Sequence, residues 1–444
     1  MSAHVSPDVI RARFADAMSD MYRLEVPQYG TLLKIVADIN RQTADAAGLT
    51  DSDARLGVER HGAIRLGTAE ELATMRRILA VMGMYPVGYY DLSVAGVPVH
   101  STAFRPVAET SLEANPFRLF TSLLRLELIE PAELREDARA ILARRRIFTD
   151  GALSLTARAE RDGGLDEAAA DAFVAEVLET FRWHDEATVD ADTYRRLHGA
   201  HPLAADILCF KGPHINHLTP RTLDIDAAQV RMGEQGLKAK NFVEGPPRRR
   251  CPILLRQTSF RALQEAVRFP GEGSATDGTH TARFGEIEQR GAALTPKGRA
   301  LYDRLLAEAR AAGIGDAQGY GAALAQAFAA FPDDWDTLRR EGLAYFRYDA
   351  RGELPAGEPD LEALIAQGLL AAHPITYEDF LPVSAAGIFQ SNLGGEEQQS
   401  YAANAAKAEF ERDLGAAVQD EFALYAGLQQ ASIDALRRSV RAAA

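Results

Sequence analysis

Cysteine is scarce in this sequence: Cys209 and Cys251 are the only two in 444 residues. Two thiols cannot form the disulfide framework of a small secreted domain, and they suit a reducing compartment. No segment approaches the ~18 uncharged apolar residues that a membrane helix needs. Asp8, Arg11 and Arg13 lie where a signal peptide would carry its apolar run. We therefore expect a soluble cytoplasmic protein.

Positive charge is also in deficit. The chain has 49 Lys and Arg against 63 Asp and Glu, a formal charge of −14 and a pI near 5.3. This balance argues against nucleic acid and anionic membrane surfaces as partners, since both select basic proteins. A hydrophobic fraction of 47% excludes disorder as the main state. A small anionic substrate is not excluded, because a few arginines inside a pocket can outweigh the surface charge.

Several catalytic motifs are absent. The sequence has no Gly-x-Ser-x-Gly, phosphate-binding loop, dinucleotide fingerprint after a strand, His-Glu-x-x-His or Cys-x-x-Cys. Cys209 lies in an apolar run, which favours a buried inert thiol over a nucleophile. Histidines and carboxylates are left as the candidates for chemistry.

Hydrophobic periodicity predicts strands and helices of an α+β fold. A strand over 58–67 is followed by a helix that begins at the N-cap Thr68 and ends at Gly83. Further strands are predicted at 206–210 and 239–243. We predict one elaborated domain over 1–444, made of N-terminal helices and a first ligand-bearing βα unit (1–129), a helical insertion (130–204), a second ligand-bearing βα unit with the rest of the sheet (205–400) and a C-terminal helix (401–444).

A weak internal repeat runs through the chain. The segments that begin at His61 and at His217 both read strand, helix, glycine, strand, and each histidine is followed four residues later by an arginine, Arg65 or Arg221. Two βα units that each give one ligand to a shared site would produce this pattern. Chance similarity between two βαβ-like segments would produce it equally well.

Four histidines lack an obvious surface interpretation, and His61 is the most informative of them. Alternation along a strand places His61 and Arg65 on one face, ~13 Å apart. A metal at His61 with a carboxylate clamp at Arg65 would suit a dicarboxylate of five or six carbons, whereas the alternative is a polar face on an exposed sheet. His214 and His217 are three residues apart and face opposite sides of a strand, so one of them can enter a given pocket; the fourth histidine is His280.

Two carboxylates share one face of a predicted strand near residue 287. Glu286 and Glu288 lie close enough to call for a cation, which a metal or an ion pair with Arg290 would supply. Two histidines and one carboxylate with open positions form the facial triad of non-haem Fe(II) oxygenases. The spacing alone does not choose among the candidates.

The stretches around these residues resemble the 2-oxoadipate dioxygenase/decarboxylases, also called hydroxyglutarate synthases, of the vicinal-oxygen-chelate superfamily. The resemblance implies an α+β fold in which βαβββ units form a central curved sheet around a metal site, with added helical lobes. The matching stretches are RHGAIRLGTAEEL (60–72), NPFRLFTSLLR (115–125), GPHINHLTPRTLDID (212–226), TARFGEIEQRGAALTPKGRALYD (281–303) and YEDFLPVSAAGIFQSNL (377–393).

The resemblance also implies an Fe(II) site made by two histidines and a glutamate. His61 matches the first family histidine, and His217 fits the Ile-x-His-Leu-Thr pattern better than His214 does. Glu286 aligns with the ligand of the related hydroxyphenylpyruvate dioxygenases, which is carried as Glu-x-Ile-Gln-Arg. Glu288 shares its face and stays open as the ligand.

For the substrate, the resemblance implies contacts from His61, Arg65 and Val383. Arg65 is the expected arginine for the distal carboxylate and the expected catalytic residue that aims the chain, while Val383 would act through its backbone. The implied reaction converts 2-oxoadipate and O₂ to 2-hydroxyglutarate and CO₂ in lysine catabolism. The alternatives are a Zn²⁺ or Ni²⁺ lyase or isomerase of the same superfamily and a non-catalytic protein that binds small molecules.

Overall fold

The computed structural model divides into two compact units. Unit 1 consists of Met1–Lys240, Thr258–Glu288 and Pro382–Val418, and unit 2 of Asn241–Gln257, Gln289–Leu381 and Gln419–Ala444. The single-domain organisation stays a prediction. The structure describes residues 4–47, 54–93, 96–237, 239–240, 242–260, 264–271, 276–281, 283–312, 317–355, 357, 360–381 and 406–443.

A mixed five-stranded sheet forms the centre of unit 1, in the order β2-β3-β4-β1-β5. Strand β1 pairs in parallel with β4 and antiparallel with β5, while β3 is antiparallel to both of its neighbours. The strands are β1 (Arg60–Leu66), β2 (Tyr85–Asp91), β3 (Val99–Arg105), β4 (Arg118–Leu124) and β5 (Leu218–Pro220).

Twelve helices are described in unit 1. Part of their packing is aromatic: Phe14 lies edge-on to Phe117 and Phe181, with ring centroids 5.8 and 5.3 Å apart. The helices are α1 (Pro7–Glu25), α2 (Pro27–Ala47), α3 (Ala54–Val58), α4 (Ala69–Val81), α5 (Glu109–Ala114), α6 (Ala132–Arg144), α7 (Asp150–Asp162), α8 (Glu167–Glu179), α9 (Ala191–Ala200), α10 (Pro202–Leu208), α11 (Ile225–Glu234) and α16 (406–414).

The order β1-α4-β2-β3-β4 is the predicted βαβββ unit, and the α+β fold class is confirmed. Local chemistry explains how α4 begins: the Thr68 hydroxyl accepts from the backbone N–H of Glu71, and the Glu71 carboxylate accepts from that of Gly67. The chain leaves α4 through Gly83, whose φ of +67° is a left-handed conformation that favours glycine.

The second half of the repeat shows the same pairing in a shorter form. Strand β5 and α11 are followed by an antiparallel bridge between Ala239 and Phe260, and Arg221 makes a parallel bridge to Glu288, as β1 does to β4. Residues 255–290 contain four further described strands. Strand β6 (Leu255–Phe260) pairs with β9 (Gly285–Arg290), and β7 (Glu265–Phe269) forms a hairpin with β8 (Thr276–His280).

Unit 2 contains a two-stranded antiparallel sheet and five helices among its described residues. None of the helices described in the chain is both long and apolar enough to cross a membrane. The elements of unit 2 are α12 (Pro296–Ala311), α13 (Ala317–Ala327), α14 (Trp335–Arg340), β10 (Phe346–Ala350), α15 (Leu361–Ala366), β11 (Leu370–Pro374) and α17 (Glu421–Ala443).

Three predictions of secondary structure are wrong. Residues 206–210 are not a strand, because α10 includes Asp206 and ends at Leu208. The predicted strand at 239–243 has one described bridge, at Ala239. The C-terminal helix is two helices, α16 and α17, and the chain between them passes through Gly415 at a φ of +69°.

Candidate metal centre

Three side chains from different elements meet inside unit 1. His61 lies on β1, His217 immediately precedes β5, and Glu286 lies on β9. One potential ligand atom from each side chain lies within 4.8 Å of the other two. We call these three residues the His61 cluster; no other group of three His, Cys, Asp or Glu residues meets this distance in the part of the chain that the structure describes.

The pairing of β1 with β5 explains why the two histidines meet. His61 lies opposite Thr219 in the antiparallel register, so His217 comes two residues before that position. The imidazole rings are 5.3 Å apart between centroids and nearly perpendicular. Gly62 makes this approach possible: a Cβ there would lie 2.4 Å from Cδ1 of the buried Ile215 and 3.1 Å from the carbonyl oxygen of His217.

The carboxylate of Glu286 lies between the two histidines. Its Oε1 is 3.1 Å from Nε2 of His61 and 3.7 Å from Nε2 of His217. The Thr219 hydroxyl donates to the same oxygen at 2.9 Å. Thr219 was missed in the sequence, although its alternate spacing from His217 places both on one face of a strand.

A second carboxylate supports His61 from the opposite side. Nδ1 of His61 is 2.9 Å from Oε2 of Glu288, which is fully buried. Glu288 is in turn 3.9 Å from the buried Arg118, whose guanidinium also pairs with Glu59 at 2.9 Å. Because Glu288 faces Nδ1, it leaves the Nε2 of His61 directed at Glu286 and orients the ring.

Burial and charge shift the pKa values of the cluster in opposite directions. Burial lowers the pKa of His217 to about 4 against the opposing effect of Glu286. Burial also lowers the pKa of His61. The charge of Glu288 and hydrogen bonds with both carboxylates outweigh burial and raise the pKa of His61 above its ordinary value. Burial would raise the pKa of Glu286, yet the two histidines lower it. The cluster therefore holds Glu286 as a carboxylate beside a neutral His217.

The donor set fits a divalent transition metal. The buried Nδ1 of His217 has no hydrogen-bond partner among the described residues, and 3.7 Å is too long for a bond from its Nε2 to Glu286. Ligands at about 2.1 Å from a metal, at right angles to each other, lie about 3.0 Å apart. The 3.1 Å between Glu286 and His61 is close to this value and the 3.7 Å between Glu286 and His217 is longer. Two imidazoles with one carboxylate suit iron.

The structure separates the alternatives that the sequence left open. His214 is not part of the His61 cluster, since its Nε2 lies 3.2 Å from Asp206. Glu288 contacts His61 at Nδ1, whereas Glu286 faces both histidines, so the geometry favours Glu286 as the ligand.

The two remaining predicted site residues have different outcomes. Arg65 lies on β1, and its Nη1 is 2.6 Å from Oδ2 of Asp206. About a quarter of the Arg65 side chain is exposed, at 25%. Val383 lies outside the described residues, so its backbone contact with a substrate stays a prediction.

Comparison with known proteins identifies a family that matches most of the chain. Residues 14–392 match the family model of the 2-oxoadipate dioxygenase/decarboxylases. A relative of that name from Pseudomonas putida is 58% identical, and the match covers 98% of each chain. Another from Escherichia coli is 56% identical, with 97% of this chain and 98% of that protein covered.

A solved structure resembles the chain over almost its full length. The crystal structure of the hydroxyglutarate synthase from Pseudomonas putida in complex with 2-oxoadipate superposes with a TM-score of 0.92 at 56% identity. The match covers 99% of this chain and 100% of that one. On the family model and these relatives, the chain belongs to the 2-oxoadipate dioxygenase/decarboxylase family.

Proposed function

We propose that this chain is an Fe(II)-dependent dioxygenase that converts 2-oxoadipate and O₂ to 2-hydroxyglutarate and CO₂. The observation that carries the proposal is the meeting of His61, His217 and Glu286 at spacings that fit one metal ion. The relative solved with 2-oxoadipate supports the substrate. The reaction balances without another reductant, because one carbon leaves as CO₂ and both atoms of O₂ enter the five-carbon product.

The protein's own residues have three tasks in this reaction. His61, His217 and Glu286 would hold the iron on one side and leave positions open for the 2-oxo acid and for O₂. The metal would supply a site where the carboxylate and keto oxygens chelate and where O₂ is activated. Arg65 would bind the distal carboxylate through paired N–H groups and so place the chain for hydroxylation.

Glu288 and Thr219 keep the ligands in place. Glu288 fixes the ring orientation of His61 through Nδ1, and the Thr219 hydroxyl occupies one lone pair of Glu286 Oε1. Each leaves its partner fewer ways to rotate away from the metal. These contacts preorganise the site before the substrate arrives.

Anaerobic reconstitution tests the proposal. The metal-free protein is loaded with Fe(II), given 2-oxoadipate and then O₂, and O₂ uptake, CO₂ and 2-hydroxyglutarate are measured. We expect one of each per turnover and no requirement for added 2-oxoglutarate. Turnover with Zn²⁺ or Ni²⁺ and without O₂ uptake would identify a lyase or isomerase instead, and binding without turnover would identify a binding protein.

The place of the reaction in lysine catabolism is the part of the proposal that rests on family resemblance alone. A strain that lacks this chain should accumulate 2-oxoadipate when lysine is its nitrogen source, and restoring the chain should remove it. Unchanged 2-oxoadipate in the deletion strain would reject this role without affecting the proposed reaction.

A further inference from the structure

A second group of titratable side chains lies in unit 1, and the proposed reaction does not use it. His214 and His280 both contact the carboxylate of Asp206, whose Oδ1 is 3.2 Å from Nε2 of His214 and 3.0 Å from Nε2 of His280. We call these three residues the Asp206 cluster. All three are buried.

Protein groups surround the Asp206 cluster. A carboxylate only accepts, so Nε2 of His280 donates to Asp206, and Nδ1 of the same ring lies 2.8 Å from the Tyr194 hydroxyl. Trp183 lies edge-on to His214 and parallel to His280, with ring centroids 4.8 and 6.2 Å away. These contacts fix the Asp206 carboxylate in position.

The other carboxylate oxygen of Asp206 holds Arg65. Its Oδ2 is 2.6 Å from Nη1 of Arg65. Among the described residues, Asp206 is the partner of this guanidinium. One of the five N–H groups of the guanidinium is thereby used. The Arg65 side chain is 25% exposed, so its protein contacts do not enclose it completely.

The contacts of Asp206 also show where the guanidinium lies along β1. Asn216 donates its backbone N–H to the carbonyl of Ala63 at 2.9 Å, and its side-chain amide is 3.5 Å from Oδ2 of Asp206. Ala63 is midway between His61 and Arg65. The carboxylate that holds Arg65 is thus linked through Asn216 to the middle of β1, on the His61 side of Arg65.

From this geometry we propose that Asp206 is a positioning residue that sets the span between the Arg65 guanidinium and the metal ligands, and thereby the length of the dicarboxylate that binds. The inference rests on the proposed function. One extra methylene lengthens a diacid by less than the about 1.5 Å of a C–C bond. An unrestrained arginine side chain samples positions over a wider range, so it could not distinguish neighbouring chain lengths.

The test uses the metal-loaded protein without O₂, and calorimetry measures the Kd of four probes. Three are 2-oxo diacids of five, six and seven carbons, and the fourth is 2-oxohexanoate, which lacks the distal carboxylate. For Asp206→Asn we expect the preference for 2-oxoadipate over the other two diacids to fall roughly tenfold. The Kd of 2-oxohexanoate and of the metal should change less than about twofold, because neither involves Arg65.

Two controls separate positioning from general damage. Asp8→Asn removes a similar 2.8 Å ion pair with the buried Arg11 elsewhere in unit 1, and it should keep the chain-length preference. Asp206→Asn in an Arg65→Ala background should cause no further loss of preference, since its effect passes through Arg65. If Asp206→Asn does not fold, Asp206→Glu asks the same question, because it keeps the charge and the Arg65 side chain while it moves the carboxylate by one methylene.

The results have distinct meanings. An unchanged preference in Asp206→Asn, or an equal loss for all four probes, would overturn the inference and leave the proposed function standing. Failure of the wild-type protein to bind 2-oxoadipate would reject the proposed function, and the inference with it.

Discussion

Two clusters of the same unit are built from nearly the same residues, yet they differ in how their polar atoms are satisfied. The His61 cluster and the Asp206 cluster each contain two buried or half-buried histidines and one carboxylate. In the Asp206 cluster, Tyr194 contacts His280 and Arg65 pairs with Asp206. In the His61 cluster, His217 has a buried Nδ1 without a described partner, and the three ligand atoms converge.

The difference shows that residue type alone does not identify a metal site. A carboxylate whose lone pairs are already occupied by an arginine and two imidazoles gains little from a cation. Where the donors converge and a polar atom lacks a partner, a bound ion recovers the cost of burial.

Replacing one histidine in each cluster gives the strongest contrast. His217→Ala should abolish iron binding and turnover, because it removes one of three ligands, and the same holds for His61→Ala and Glu286→Ala. His214→Ala, three residues away, should keep a full equivalent of iron. Metal content after reconstitution and O₂ uptake measure both. Equal iron loss in His214→Ala and His217→Ala would remove the distinction between the clusters.

The two glutamates of β9 are expected to differ in metal affinity in the same way, with a smaller effect. Glu286→Gln should lose Fe(II) almost completely, since it replaces the anionic ligand. Glu288→Gln should weaken metal affinity by about 10–100-fold while one metal still binds, as expected for a group that orients a ligand. Competition titration with a chromophoric chelator measures both affinities. The reverse order would make Glu288 the ligand.

Arg65 shares strand β1 with His61 and pairs with Asp206, and its loss should affect the binding of substrate more than the binding of metal. Arg65→Ala should raise the KM for 2-oxoadipate roughly a hundredfold with a smaller change in kcat, because the charged hydrogen bonds are made in the ground state and in the transition state alike. Iron content should not change. An unaltered KM would contradict the carboxylate clamp.

The Asp206 cluster should contribute to stability in a pH-dependent way. Burial would raise the pKa of Asp206, but His214 and Arg65 hold it well below its usual range. A depressed pKa stabilises the fold above the unfolded value of about 3.9, and that stabilisation is lost as the pH falls below it. Asp206→Asn should therefore lower the free energy of unfolding by about 1–3 kcal/mol at pH 7.

Urea titrations of wild type and Asp206→Asn, from pH 7 down to pH 3, measure this difference. It should be constant near neutral pH and shrink below about pH 3.9, where the unfolded wild-type chain takes up a proton at Asp206 that the folded carboxylate resists. A difference that stayed constant down to pH 3 would show that the charge of Asp206 does not contribute.

Local sequence rules predict the part of the fold that contains His61, the first candidate ligand. Alternation in β1, the Thr68 cap and Gly83 define a βα unit within a few residues of its observed bounds. They also place His61 and Arg65 on one strand. These features depend on neighbours in sequence, which is why a single sequence is enough to find them.

Contacts between segments that are distant in the sequence cannot be predicted from local rules. The short apolar run at 206–210 suits either a strand or a helix, and periodicity cannot separate them. No role is therefore predicted for Asp206, although it contacts two of the four candidate histidines. The choice between Glu286 and Glu288 likewise depends on which nitrogen of His61 each carboxylate faces, which only the packing of β9 against β1 reveals.

Gly62 has a consequence for how function is assigned to other members of the family. The space above it is filled by Ile215 and the carbonyl oxygen of His217. An alanine there would require the Ile215 side chain to turn aside and the His217 backbone to shift by a few tenths of an ångström, which would disturb the approach of the two histidines. Such a protein would still contain every ligand and would pass any inspection of its catalytic residues. One added methyl group at position 62 would then explain a loss of activity. Position 62 should therefore be inspected together with the ligand residues when activity is inferred for a relative.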